Sequence, residues 1–453
     1  MTGSLFPSHL FSGRRYAVVG LGRMGLPAAH ALARLGAAVA VWDDSPAARA
    51  AADLPLHDPA QGLDGFHALV LSPGIPHALP APHPAATAAR AAGIPILSDA
   101  ELLFQAVRAT GSTARFVGIT GTNGKSTTTA LLHHILHRAG IESAAGGNLG
   151  IAALALPLLG PGGVYVLEMS SYMLERLTTL RFDAAALLNL SPDHLERYGA
   201  MDGYIAAKRH IFDRQGADDT AVYGTDDPAT AALAPSGATT ISGAHPATIW
   251  CDGTMLRDAH GSIMPMAEAP ALPGPHNAQN AAAAAALARA LGLDDETIAA
   301  GIATYPGLPH RQQRVGVIDG TAWINDSKAT NADAAARALA CYDRIVWIAG
   351  GMAKEGGIEP LRPLFPRIVH ALLIGRDAPI LAETLARAGV PHTSPGTLEA
   401  AIPEARALAR SLHAPTVLLS PACASWDQFT GFDARGDRFR ELALDGATTS
   451  GGR

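Results

Sequence analysis

The sequence predicts an α/β protein of three domains, each built on a largely parallel sheet. Apolar runs of strand length alternate with longer helical patterns along the chain, the order that generates parallel sheets. Two of those strands open directly into glycine-rich loops followed by helices, around Gly20–Gly25 and Gly118–Thr127. The chain has 453 residues, which at about 150 per domain accommodates three cores, and 48% hydrophobic against 16% charged residues can fill them. The expected domains are 1–110, 111–308 and 309–453.

The first domain opens with an apolar run from Tyr16 to Val19, leading into Gly20-Leu21-Gly22-Arg23-Met24-Gly25. Ala28, Ala29, Ala31, Leu32 and Leu35 repeat at helical spacing and Gly36 stops the helix. A second strand, Ala37 to Trp42, ends at Asp43-Asp44. This is a Rossmann-like β-α-β unit whose glycines permit a tight turn and let a diphosphate approach a helix N-terminus. A third strand, Ala68 to Leu71, ends at Ser72-Pro73-Gly74, and Pro- and Ala-rich sequence follows to about residue 110.

In the second domain a strand from Phe116 to Ile119 precedes Thr120-Gly121-Thr122-Asn123-Gly124-Lys125-Ser126-Thr127. Leu131, Leu132, Ile135, Leu136 and Ala139 then mark a helix that ends at Gly140. Strand, glycine loop and helix together form a P-loop-type ATPase element. Backbone N–H groups face phosphates, Lys125 neutralises β/γ charge, and the Ser126 or Thr127 hydroxyl can ligate Mg²⁺. The strict pattern requires glycine where Ile119 stands, so the ordinary expression fails. Two more buried strands run from Val164 to Leu167, ending in Glu168, and from Ala184 to Leu188, ending at Asn189.

The third domain begins near His310 and reads as Rossmann-like α/β, with strands at Ala322 to Asn325, Ile345 to Ala349, Ala371 to Ile374 and Thr416 to Leu419. The tail from Ala447 to Arg453 is small and polar and is expected to fray.

Composition narrows the function classes. The net charge of -6 offers no cationic excess for nucleic acid or an anionic membrane. Cys251, Cys341 and Cys423 show no C-x-x-C spacing, which fits a reducing compartment. Apolar stretches are alanine-rich and too short to span a bilayer, and residues 1–13 show no signal-peptide pattern. A cytoplasmic monomer without membrane insertion is expected.

The variant Gly118-x-x-Gly121-Thr122-Asn123-Gly124-Lys125-Ser126 resembles the loop of the Mur ligases and the folylpolyglutamate synthases, which couple ATP cleavage to amide formation. The run Asn325-Asp326-Ser327-Lys328-Ala329-Thr330-Asn331 is similar to the Mur branch that adds glutamate to UDP-N-acetylmuramoyl-L-alanine in cell-wall precursor synthesis. So are Gly20–Gly25, Asp193-His194 with Arg197-Tyr198, and Ser420 to Ser425.

The resemblance implies that ATP lies on Gly121 to Thr127, with Asn277 and Asn280 near adenine and His310, Arg311 and Asp326 at ribose or phosphate. It places Mg²⁺, in two sites, on Ser126, Glu168, His194 and a Lys208 carbamylated by CO₂; with Lys125 these form the catalytic group. The UDP-sugar would meet backbone at Gly22, Arg23 and Met24, uracil contacts at Asp43, Asp44 and Ser45, and Ser72, Gly74, Asn148, Ser170 and His194. Glutamate would meet Lys328, Thr330, Lys354, Ser425 and Phe432. Closure of the domains would complete the site.

Plainer roles stand beside these. Glu168 could cap a helix over 169–177, Asn148 could be a left-handed turn residue, and Asn277 could be an N-cap. His133 and His137 have i,i+4 metal spacing, yet with His134 they read as a polar helix face. Met173 stands where the family has glutamine and Trp426 where leucine is common, which leaves D- or L-glutamate open. The rival readings are another Mur-type or folylpolyglutamate-type ligase, a nucleotide-binding module without catalysis, and an NAD-dependent dehydrogenase using the first glycine loop.

Overall fold

The structure, a computed structural model, describes residues 4–445; the expected fraying tail lies outside them. The chain divides into two compact units. The first holds the residues up to 269 together with 275–305, and the second holds 270–274 together with those from 306 onward.

The first unit contains two sheets. A four-stranded parallel sheet runs in the order Ala38–Trp42, Arg15–Val19, Ala68–Leu71, Ile96–Leu97. Its helix Gly25–Arg34 follows the first strand, and Gly36 at φ 88° closes it as expected. The Pro- and Ala-rich stretch holds two helices, Pro84–Ala91 and Asp99–Ala109. Alanine gives little contrast between faces, so the periodicity there was weak, although Ser98 caps the second helix through its Oγ.

The larger sheet has nine strands. Its parallel centre is Ala184–Leu187, Arg115–Thr120, Val164–Glu168 and Ser143–Gly147, in that order. Beyond Ala184–Leu187 it continues through Thr220–Gly224, Thr239–Ser242 and Ile249–Cys251, then closes with antiparallel Met255–Arg257 and Ser262–Pro265. These five outer strands are three to five residues each and carry no long apolar run, so hydrophobic periodicity does not announce them. The helix Pro275–Ala290 packs its alanine run, Ala281 to Ala286, fully inside.

The second unit is one six-stranded sheet ordered Gln313–Ile318, Thr321–Asn325, Thr416–Leu419, Ile345–Gly350, Ile368–Ile374, His392–Gly396. Only its first pair is antiparallel. Apolar layers lie on both faces, one around Trp347 and one around Trp323 and Phe439. Parallel order with helices on both sides is the α/β class expected from the alternation of strands and helices.

Three local expectations are corrected. The segment after Glu168 forms a single turn, Ser171–Leu174, capped by Ser170 Oγ, so Glu168 caps nothing there. Asn277 lies inside its helix, which starts at Pro275, and is not an N-cap. Asn148 is absent from the left-handed residues; Gly147 and Gly150 take that conformation on either side.

Candidate active site

Register brings the site residues to one edge. Ile119 and Gly147 both pair with Glu168, and Thr120 pairs with Leu187, so four strands end together. In an open parallel sheet that edge is where ligands bind. The loop leaves this edge already shaped. Thr122 N–H donates to Asn189 O at 2.9 Å, Asn123 N–H donates to Asn189 Oδ1 at 2.8 Å, and Asn189 Nδ2 returns a bond to Asn123 O at 3.1 Å. Gly124 sits at φ 85° with its missing Cβ position 2.3 Å from Asn280 Oδ1, so only glycine fits beneath the helix Lys125–Arg138. Asn280 also accepts from Thr128 Oγ1 and donates to Asn277 Oδ1, which places both asparagines behind the loop.

Lys125 Nζ lies over the loop and donates to Gly121 O at 2.8 Å and Thr122 O at 2.7 Å. Ser126 is buried at the helix start and Thr127 half-buried. Across the loop, Lys208 on the helix Met201–Arg209 is only 2% exposed. Its Nζ donates to Gly121 O at 2.9 Å and stands 4.7 Å from the Tyr204 ring centroid. Burial, then the Lys125 charge, holds its ammonium well below the ordinary lysine range.

Glu168 is buried at the strand end. Its Oε1 accepts from Asn148 Nδ2 at 2.8 Å, while Oε2 is buried with no hydrogen-bond partner. Beside it a cavity of about 270 Å³ is lined by Lys125, Lys208, Asn148, Ser170 and His194, with Pro73 and Gly74 from the first sheet. His194 takes a left-handed backbone at φ 53°, and its ring is half exposed between Tyr172 and Tyr204. Tyr172, Tyr204, Asp193 and Ser171 complete the wall; none has a site role in the sequence reading, although Asp193 stands in the Asp-His pair that carries the resemblance. Tyr204 had a signal, since it lies four residues before Lys208 on one helix face.

An unsatisfied buried carboxylate oxygen beside hydroxyls fits a hard divalent cation. Among the described residues no group of three or more His, Cys, Asp and Glu could hold a metal unaided. A cation at Glu168 would therefore need ligands beyond carboxylates, such as the Ser126 hydroxyl, the His194 ring and phosphate oxygens. His133 and His134 bond Ser143 Oγ and Thr304 Oγ1 respectively, in keeping with a structural role.

At the first glycine loop both Asp43 oxygens are engaged, Oδ2 by Leu21 N–H at 2.7 Å and Oδ1 by Ser45 N–H at 2.8 Å. Gly22 and Arg23 are exposed and Met24 half-buried. Asp44 pairs with His83, and Ser72 Oγ donates to Gly20 O at 2.7 Å.

In the second unit His310, at φ 61°, meets Asn325 Nδ2 through Nδ1 at 3.1 Å, and its carbonyl accepts from Lys328 N–H. Asp326 is buried, accepts from Ser420 Oγ and Gln312 N–H, and is pushed up to about 7 by burial. Arg311 is half-buried beside it, and its charge opposes that rise. Lys328 Nζ lies 3.7 Å from the Phe432 ring centroid, with Thr330 N–H bonded to Lys328 O. Ser425 is buried. Lys354 instead lines a cavity of about 630 Å³ with Glu355, Asp377 and Arg387, a group that includes none of the other four expected glutamate contacts. Trp426 is 68% exposed, and Met173 is buried in the core rather than open to substrate.

Residues 119–288 match the Mur ligase middle domain. The UDP-N-acetylmuramoylalanine–D-glutamate ligase of Paramagnetospirillum magneticum is 51% identical over 96% of this chain and 97% of its own. The chain belongs to the Mur ligases, in the UDP-N-acetylmuramoylalanine–D-glutamate ligase family. The Caulobacter vibrioides member is 47% identical over 99% of both chains. Solved Mur ligases share the fold: MurC from Thermotoga maritima superposes with a TM-score of 0.61 at 19% identity, covering 94% of this chain and 98% of its own. MurF from the same organism, in complex with ADP, gives 0.58 at 16%, covering 97% of each chain. Membership in this Mur ligase family overturns the dehydrogenase and non-catalytic readings.

Proposed function

We propose that the chain is the ATP-dependent ligase that joins D-glutamate to the carboxylate of UDP-N-acetylmuramoyl-L-alanine, giving ADP and phosphate. The observation that carries it is the cavity lined by Lys125, Lys208 and Asn148, whose amide holds the buried Glu168 at the same sheet edge, in a chain matched along its length by ligases of that name.

A free carboxylate resists amines because oxide leaves poorly. The substrate carboxylate oxygen attacks the γ-phosphorus, the bond to the β-phosphate oxygen breaks, and ADP leaves. The glutamate nitrogen then attacks the acyl-phosphate carbon; the tetrahedral intermediate expels phosphate, and the amine gives up its proton. Backbone N–H groups of Gly121 to Thr127 and the Lys125 ammonium hold the phosphates, and Asn277 and Asn280 stand toward adenine. His310, Arg311 and Asp326 serve ribose and phosphate. Mg²⁺, when bound, would be held by Ser126, Glu168, His194 and a carbamylated Lys208, and would neutralise charge on the γ-phosphoryl group. Asn148 orients Glu168 by bonding Oε1. The buried, readily neutralised Lys208 amine is suited to add CO₂, forming an N–C bond and losing one proton to leave a carbamate. The UDP-sugar spans Gly22 to Met24, Asp43 to Ser45, Ser72, Gly74, Asn148 and Ser170. Lys328, Thr330, Ser425 and Phe432 receive glutamate, and Lys354 joins them only if its loop moves from the cavity it lines here. This reaction belongs in the cytoplasm, with the chain acting as a monomer on domains close to 1–110, 111–308 and 309–453; no described helix is long and apolar enough to cross a membrane.

The test is phosphate release with ATP, Mg²⁺, UDP-N-acetylmuramoyl-L-alanine and each glutamate enantiomer. D-Glutamate should support turnover, and Lys125→Ala should lose at least ~100-fold in rate. Absence of turnover with every substrate present, or preference for L-glutamate, overturns the reading.

A further inference from the structure

Arg176 is 2% exposed, yet its guanidinium meets no carboxylate within ion-pair distance among the described residues. Its donors converge on one short stretch about a hundred residues earlier. Nη1 donates to Leu71 O at 2.8 Å and to Ser72 O at 3.2 Å, Nη2 donates to Ile75 O, and Nε faces His77 Nδ1 at 3.4 Å. Burying a guanidinium against uncharged acceptors alone is costly, and burial lowers this one to about 10. A merely structural tie between two strands would be met more cheaply by apolar packing. What the arrangement does achieve is a fixed turn, because a planar fork with several donors sets the direction of each carbonyl it holds.

That turn is Ser72-Pro73-Gly74, and its residues Pro73 and Gly74 line the cavity beside Ser170 and Lys125. The same Ser72 whose carbonyl Arg176 holds also donates its Oγ to Gly20 O, at the head of the first glycine loop. Arg176 is anchored in turn, since its own carbonyl accepts from Ser98 N–H. A continuous set of hydrogen bonds therefore runs from the segment after Glu168, through Arg176, to both loops at the ends of the first sheet.

We infer that Arg176 is a positioning residue for the UDP-sugar: by clamping Leu71, Ser72 and Ile75 it holds the Ser72–Gly74 turn and the Gly20 loop in the geometry the substrate needs. This rests on the assignment of the UDP-sugar to that wall of the cavity. Arg176 touches neither ATP loop nor the Lys125–Lys208 pair, so its effect is confined to one substrate.

The test compares Arg176→Lys and Arg176→Met with the wild type in steady-state kinetics, together with hydrogen exchange of residues 71–77. The expected result is a KM for UDP-N-acetylmuramoyl-L-alanine raised roughly tenfold in Arg176→Met and less in Arg176→Lys, with kcat and the KM for ATP within about twofold. Exchange at 71–77 should quicken in both. An unchanged KM for the UDP-sugar, or parallel losses in kcat and both KM values, overturns the inference. If the wild type turns over no UDP-sugar while the variants still loosen 71–77, the clamp stands and the assigned substrate fails.

Discussion

Glu168 and Asp326 are two buried carboxyls that the sheets treat differently. Glu168 keeps one oxygen for Asn148 and leaves the other without a protein donor, a position that suits a cation or a water. Asp326 is enclosed by Ser420, Gln312 and Arg311, with Cys341 and Tyr342 adding unfavourable charge interactions with its anion on their own ionisation. Its pKa rises from 3.8 to about 7, so the folded state binds a proton more tightly than the unfolded one. Stability contributed by that proton is present at low pH and is lost as pH climbs from 3.8 through about 7. Asp326→Asn should therefore melt close to the wild type at acid pH and above it by at least ~3 °C in mildly alkaline buffer, read by calorimetry without nucleotide. A difference independent of pH would show that the carboxyl is not held this way.

At the scale of elements, close approach decides which glycines are needed. A Cβ on Gly25 would lie 1.7 Å from Gly20 O and 2.7 Å from Ser72 Oγ, although its φ is ordinary. The helix Gly25–Arg34 can start against its strand only because that atom is missing. Gly25→Ala should cost about 1–3 kcal/mol of stability and weaken UDP-sugar binding, measured by urea unfolding and titration calorimetry. Unaltered values for both would mean the helix start yields freely. Short outer strands show the opposite relation of pattern to structure. Thr239–Ser242 and Ile249–Cys251 are strands because neighbours pair with them, and their own residues carry too few alternations to announce it.

For the whole molecule, nucleotide binding to a preshaped loop should stabilise the unit that carries it. Linkage gives about 2.7 kcal/mol when ATP is a hundredfold above its dissociation constant. Calorimetry should show an upward shift of the first unit's transition with MgATP in the wild type and none in Lys125→Ala. Equal shifts in both proteins would remove Lys125 from the site. Much of the site could be read before the fold because phosphate chemistry depends on contiguous residues: Gly121 to Thr127 carry their own turn, donors and cation within one loop. Lys208 and Asn148 take their roles only from a resemblance, as does the metal role of Glu168, whose place at the end of a buried strand the pattern does show; nothing local separates a buried lysine from a solvated one.

By itself the sequence determined the α/β class, the order of the main strands and the position of the phosphate loop, because hydrophobic period and glycine placement act over a few residues. Only the tertiary structure decided that Lys208 is buried beside Lys125, that one Glu168 oxygen lacks a donor, and that Arg176 grips a turn from another sheet. Desolvation and hydrogen-bond satisfaction depend on what lies across space, and strand register rather than sequence distance sets that.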